Sequence, residues 1–239
     1  MTRFRLGICP ARWERPHLTQ LYQFIADPLE VDAYLLPESY LAEEKLDEVK
    51  AIAKQTRRWI FSGMEGNDGF AYAIAIDGEG NLVHRHLKIV EPAYGLQKLG
   101  DRLTLGTEVS AFHTPWGTFG FLLCYEIVFP EIARKAHDKG VKLFLNPIGD
   151  GGDFLEGMDF WPQMARVRAH ENNAHIAGVS HSHSTNFTCY AANSGGQFYF
   201  NSGERLHMTR VQFDMSNFPT FILEDGYQKM LGHIQHHVY

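Results

Sequence analysis

Apolar residues fall into short runs, and segments with helical spacing separate those runs. Residues 5–9 predict a first strand, after which Leu18, Leu21, Tyr22 and Ile25 recur at the interval of one helix face. Residues 31–36 predict a second strand that runs straight into Pro37-Glu38. Residues 43–58 read as a helix with Leu46, Val49, Ile52 and Ala53 on one side. A strand over 59–64 follows, then a hairpin in which 70–76 and 82–89 flank the turn-rich stretch Asp77-Gly78-Glu79-Gly80-Asn81. A second hairpin pairs 109–113 with 118–123 across Thr114-Pro115-Trp116-Gly117. The apolar run 119–123 stops at Cys124, and residues 125–129 turn the chain. Pro130 then opens a helix that Gly140 closes. Further strands are predicted over 141–146, 174–180, 198–200 and 208–213, with a helix opening at Pro162 and running towards Asn172. Residues 91–107 have little periodicity and three glycines, and with 149–153 they read as functional loops.

Alternating strands and helices point to an α/β domain, and the two hairpins add antiparallel edges. There is no internal repeat, low-complexity linker or break in composition, so residues 1–239 are expected to form a single domain. Hydrophobic content of 44% and charged content of 21% are ordinary for a globular chain, which excludes extensive disorder. No run approaches the ~20 apolar residues of a membrane span. The first ten residues lack the apolar core of a signal peptide, so a cytoplasmic protein is expected. A net charge of −6 gives no electrostatic reason to bind nucleic acid. The three cysteines, Cys9, Cys124 and Cys189, are too few and too scattered for a disulfide framework or a zinc site. His170, His175, His181 and His183 match no metal-ligand spacing, and no metal or cofactor is expected.

The candidate chemistry centres on Cys124. A cysteine at the C-terminal end of a strand, on the turn before a helix, sits at the sheet edge where α/β proteins bind ligands. An isolated cysteine is more often a buried structural thiol. A nucleophile needs a base and an oxyanion stabiliser. Glu38, at the end of the apolar run 33–37, has the placement of a partly buried general base. Lys88, set among Leu87, Ile89 and Val90, has the placement of a fixed positive charge beside a developing oxyanion. Each also has a plain reading, as a loop glutamate and an exposed strand lysine. The three together change the balance.

With these residues the chain resembles the nitrilase superfamily of carbon–nitrogen hydrolases, whose members use a Glu–Lys–Cys triad in that order. The matching motifs are Leu35-Leu36-Pro37-Glu38, His84-Arg85-His86-Leu87-Lys88-Ile89, and the ten residues from Leu122 through Cys124-Tyr125-Glu126 to Glu131. Two further stretches also resemble the family: Leu143-Phe144-Leu145-Asn146-Pro147, and the 165–172 segment ending in Arg168-Ala169-His170-Glu171-Asn172. The likeness covers roughly residues 4–213, leaving 214–239 as a C-terminal extension and candidate interface arm.

The resemblance implies an α-β-β-α four-layer sandwich with two central mixed sheets, and a symmetric homodimer or larger assembly. It implies Glu38, Lys88 and Cys124 as the catalytic residues, with the backbone N–H of Tyr125 sharing the oxyanion. By the same analogy the substrate pocket would draw on Tyr94, Glu126, Ile148, Gly149 and Trp161. The implied activity is hydrolysis of a small linear amide, or a related carbamoyl or nitrile compound, through a thioester on Cys124. The alternatives are N-acyl transfer by the same triad, and a catalytically weak binding or scaffold protein. Two departures from the family stand out. Most members have Asp where this chain has Glu126, and the second loop glutamate that many carry would fall near Leu99, where there is no acid. Glu91 and Asp101 are the nearest substitutes, and the sequence favours neither.

Overall fold

Along the central strands, successive side chains go to opposite faces, and both faces are apolar. Ile60, Ile74 and Ile76 pack to one side while Phe61, Ala73 and Ala75 pack to the other. A strand buried on both faces needs cover on both, which forces a layered architecture. The computed structural model describes residues 3–13, 18–92, 104–149, 159–201, 207–218 and 233–234.

Thirteen strands and four α-helices are formed by the described residues. The first sheet contains β1 (Arg3–Ile8), β2 (Ala33–Leu35), β4 (Trp59–Glu65), β5 (Ala71–Ile76), β6 (Leu82–Leu87) and β13 (Thr209–Asp214). Its order is β13-β1-β2-β4-β5-β6, with the two-residue strand β3 (Leu41–Ala42) attached to β4. β1, β2 and β4 run parallel, whereas β13 and the β5–β6 hairpin are antiparallel additions. The second sheet runs β12-β11-β10-β9-β8-β7, with β8 (Gly117–Phe121), β9 (Leu143–Pro147) and β10 (His175–Val179) parallel. Its antiparallel strands are β7 (Phe112–Thr114), β11 (Cys189–Ala192) and β12 (Phe198–Asn201).

The inner faces of the two sheets meet in one core. Phe4, Leu6, Leu35 and Phe61 of the first sheet pack against Phe119, Phe121, Leu143 and Leu145 of the second. The helices α1 (Thr19–Ala26) and α2 (Leu46–Thr56) cover the outer face of the first sheet through Leu21, Phe24, Val49 and Ile52. The helices α3 (Pro130–Asp138) and α4 (Phe160–Glu171) cover the second through Ile132, Ala133, Ala165 and Ala169. The chain is thus the expected α-β-β-α sandwich.

The predicted elements are present, with ends moved by a few residues. The strand before Cys124 stops at Phe121, because Leu122 and Leu123 already belong to the turn. Pro130 is the first residue of α3, and Gly140 follows that helix at φ +85°, as a helix stop requires. β11 is an addition. Cys189-Tyr190-Ala191-Ala192 has no alternation for the sequence to display, since all four residues are buried. Of the C-terminal extension expected over 214–239, the described part is 214–218 and 233–234.

Candidate active site

Three loops meet at one edge of the sandwich. β2 ends at Leu35 and delivers Glu38, β6 ends at Leu87 and delivers Lys88, and β8 ends at Phe121 and delivers Cys124. Two loops come from the first sheet and one from the second. The structure brings the three sequence-predicted catalytic residues together. Glu38, Lys88 and Cys124 are 8%, 5% and 7% exposed. The Lys88 ammonium donates to Glu38 Oε1 at 2.7 Å, and the Cys124 thiol hydrogen-bonds to the same carboxylate.

Each residue is held by its backbone. The loop carrying Glu38 lies directly on β4: Gly63 N–H donates to the Pro37 carbonyl at 3.0 Å. A Cβ at Gly63 would sit 2.3 Å from Glu38 Cα, so only glycine lets the two backbones approach this closely. Glu38 N–H donates to the Ile148 carbonyl, and the Glu38 carbonyl accepts from His181 Nε2 at 2.7 Å. Lys88 is gripped on both sides, donating to the Ala71 carbonyl and accepting from Gly106 N–H.

Cys124 has φ +49°, in the left-handed region that side chains other than glycine seldom adopt. It begins a single 3-10 turn, Cys124–Val128, and the two accessory stretches hold that turn in place. The Asn146 amide donates to the carbonyls of Leu122 and Cys124, and Tyr190 donates its hydroxyl to Asn146 Oδ1 at 2.6 Å. Arg168 donates to the carbonyls of Ile127 and Val128 at 2.8 and 2.9 Å, and its other nitrogen pairs with Glu171. These bonds occupy carbonyls that a single turn cannot satisfy internally.

The electrostatics follow from burial among fixed charges. Burial, then the Glu38 carboxylate, push the Cys124 thiol well above its ordinary range, against the pull of Lys88 and the Gly149 backbone. Burial works against the Lys88 ammonium, but the negative charges of Glu38, Cys124 and Glu91 outweigh it and hold the lysine charged. The resting site is therefore a neutral thiol beside a carboxylate–ammonium pair.

Glu91 completes the group. Its carboxylate accepts from Lys88 Nζ at 3.1 Å, so one ammonium bridges two acids. Burial raises the Glu91 pKa, and Lys88 opposes the rise. The signal in the sequence was an acid three residues beyond the lysine, which alone did not separate it from Asp101. Asp101 and Leu99 lie outside the described residues, as does Tyr94.

A cavity opens beside the triad, lined by Trp13, Glu65, Phe70, Thr104 and His183 together with Glu38, Lys88, Glu91, Gly149 and His181. Of the pocket residues expected from the sequence, Gly149 lines it. A Cβ there would lie 2.5 Å from Glu38 Oε2. Ile148 and Trp161 are instead packed around Cys124 in the layer between sheet and helices. Glu126 is 0% exposed and accepts hydrogen bonds from the Leu123 and Ile89 N–H groups, so it faces the turn and not the cavity. Tyr125 follows the nucleophile inside the 3-10 turn. His181 and His183 stack at 5.4 Å, and His181 spends its ring nitrogens on the Glu38 and Ala11 carbonyls. Among the described residues no three His, Cys, Asp or Glu side chains gather as metal donors. No helix among them is long and apolar enough to cross a membrane.

A four-layer sandwich with Glu, Lys and Cys converging at one strand edge is the architecture of the nitrilase superfamily, and solved structures share it. A carbon–nitrogen hydrolase from Helicobacter pylori G27 superimposes with a TM-score of 0.78 at 13% identity, covering 98% of this chain and 94% of that one. The NitFhit protein of C. elegans superimposes at 0.79 with 18% identity, over 100% of this chain and 66% of that one. The chain belongs to the carbon–nitrogen hydrolase family, whose model matches residues 18–202. Relatives include Hydrolase C26A3.11 of Schizosaccharomyces pombe, 28% identical over 71% of this chain and 52% of the relative. Omega-amidase NIT2 of Xenopus tropicalis is 28% identical over 57% of this chain and 52% of its own length. The chain spans about half the length of these relatives.

Proposed function

We propose that this chain hydrolyses the C–N bond of a small linear amide through a thioester on Cys124. The observation that carries the reading is the neutral thiol bonded to a carboxylate that a buried lysine holds at 2.7 Å. In the proposed sequence Glu38 takes the thiol proton as sulfur attacks the amide carbon. A bond forms between Sγ and carbon, and the carbonyl oxygen becomes an oxyanion. Lys88 and the backbone N–H of Tyr125 stabilise that charge, a role in which one lost donor costs ~3–4 kcal/mol. The C–N bond then breaks, and Glu38 returns its proton to the departing nitrogen, leaving the thioester. Glu38 next removes a proton from water, the hydroxide adds to the thioester, and the carboxylic acid leaves as Cys124 recovers its proton. Every proton is carried by Glu38, and the net reaction consumes one water.

Two relatives support the amide over the nitrile. Omega-amidase is the printed activity of the Xenopus protein. The amidase of Nesterenkonia sp. AN1, which superimposes with TM-score 0.74, takes up the acetamide moiety of fluoroacetamide covalently at its active site cysteine. Intact-mass spectrometry with short amides, carbamoyl amino acids and nitriles, run on the wild type and on Cys124→Ala, tests the proposal. An acyl adduct on the wild type alone, with ammonia released, is expected. Adducts that clear only when an amine is added would point to acyl transfer. No adduct with any compound would sink the enzymatic reading.

A further inference from the structure

Glu126 is a buried carboxylate that the proposed chemistry leaves unused. Its Oε1 accepts from Ile89 N–H at 2.7 Å and its Oε2 from Leu123 N–H at 2.7 Å. His86 Nε2 lies 3.0 Å from both oxygens. Ile89 follows Lys88 in the chain and Leu123 precedes Cys124. One side chain therefore ties the backbone beside the lysine to the backbone beside the nucleophile.

That connection matters because Lys88 leaves the first sheet and Cys124 the second. No β-ladder runs between the two sheets, so strand pairing does not set the separation of ammonium and sulfur. We propose that Glu126 is a positioning residue that sets it, with His86 as the third donor to its carboxylate. The proposal rests on the reading of Cys124 as the nucleophile. It gives a glutamate at this place a physical reason. The reach from the Cys124 turn to Ile89 uses the full side chain, and an aspartate would be shorter by one carbon–carbon bond, about 1.5 Å. Being fully buried, Glu126 acts through Lys88 and Cys124 and not by touching substrate.

The test is the rate at which iodoacetamide alkylates Cys124 in the full chain, followed by intact mass and peptide mapping. In that reaction sulfur displaces iodide, and the thiol proton passes to Glu38. Cys9 and Cys189, both 0% exposed, serve as internal controls. Glu126→Gln keeps the shape but sets an NH2 group where one of the three donors needs an acceptor. A misplacement of about 1 Å costs on the order of 100-fold in rate. The expected result is complete labelling of Cys124 at a rate constant 10- to 100-fold below wild type. Labelling at the wild-type rate overturns the proposal, whether it runs to completion or stops short because part of the sample is misfolded. If Glu126→Gln yields no folded protein, His86→Ala decides by the same measurement, since it spares both backbone bonds. A rate at least threefold lower supports the proposal, and a wild-type rate overturns it. A wild type in which Cys124 reacts no faster than Cys9 and Cys189 would instead refute the nucleophile reading, a separate failure.

Discussion

Replacing Lys88 with methionine keeps the side chain's length and removes its charge. The ammonium lies 2.7 Å from Glu38 and 3.1 Å from Glu91, and the three side chains leave only 6%, 11% and 14% of their surface exposed. At an effective dielectric of ~20, these two separations (2.7 and 3.1 Å) correspond to attractions of roughly 6 and 5 kcal/mol. The desolvation of the lysine itself, several kcal/mol, is recovered when the charge goes. What remains is a pair of buried carboxylates with no counter-charge between them. Breaking a buried pair from one side costs ~3–5 kcal/mol, and Lys88→Met is expected to lose that much at pH 7.5. The loss should depend on pH. Glu91 is already raised above its ordinary value, and without Lys88 it rises further. An acid whose folded pKa exceeds its unfolded value binds more protons when folded, so the variant gains stability as pH falls towards the ordinary glutamate range. Urea unfolding at pH 7.5 and 5.0, for both proteins, measures the gap. A gap below ~1 kcal/mol at pH 7.5, or one that does not narrow at pH 5.0, would refute the account of Lys88 as the ion that makes two buried acids tolerable.

Other outcomes are expected from the same geometry. Gly149→Ala places a Cβ 2.5 Å from Glu38 Oε2, so amidase activity should fall at least tenfold with little change in melting temperature. Gly63→Ala meets backbone, 2.3 Å from Glu38 Cα and 2.5 Å from Ser39 N. It should lose both activity and ~1–3 kcal/mol of stability, measurable by denaturant titration. Glu91→Gln removes an acid that burial disfavours in its charged form. Its melting temperature should exceed wild type at pH 7–8, and the difference should close near pH 4, where glutamate is protonated in both states.

The layered fold and the triad were legible because each rests on local signals. Pro130 announces a helix start, and Glu38, Lys88 and Cys124 each stand at the end of an apolar run. The role of Glu126 was not legible. Its partner Ile89 is 37 residues away, and a carboxylate two places from a nucleophile reads naturally as a pocket group. Only the turn's unpaired Leu123 N–H and the close passage of β6 draw it inward. Gly63 was hidden for a similar reason. A glycine inside a strand marks a close approach, but the sequence does not say which backbone approaches. Ile148 contributes through its carbonyl, to which Glu38 N–H donates, and a main-chain atom carries no side-chain signature.

The division of the triad between two sheets makes the site a gauge of how the halves of the sandwich are docked. Glu38 and Lys88 move with one sheet and Cys124 with the other, and the packing of Phe61, Phe119 and Phe121 keeps them together. A small slip along that aromatic seam leaves every strand and helix formed while separating sulfur from its base. Mild denaturant, or a truncation of Phe61, should therefore abolish turnover before far-ultraviolet circular dichroism changes. Catalytic competence would then report on tertiary packing, several steps ahead of the loss of secondary structure.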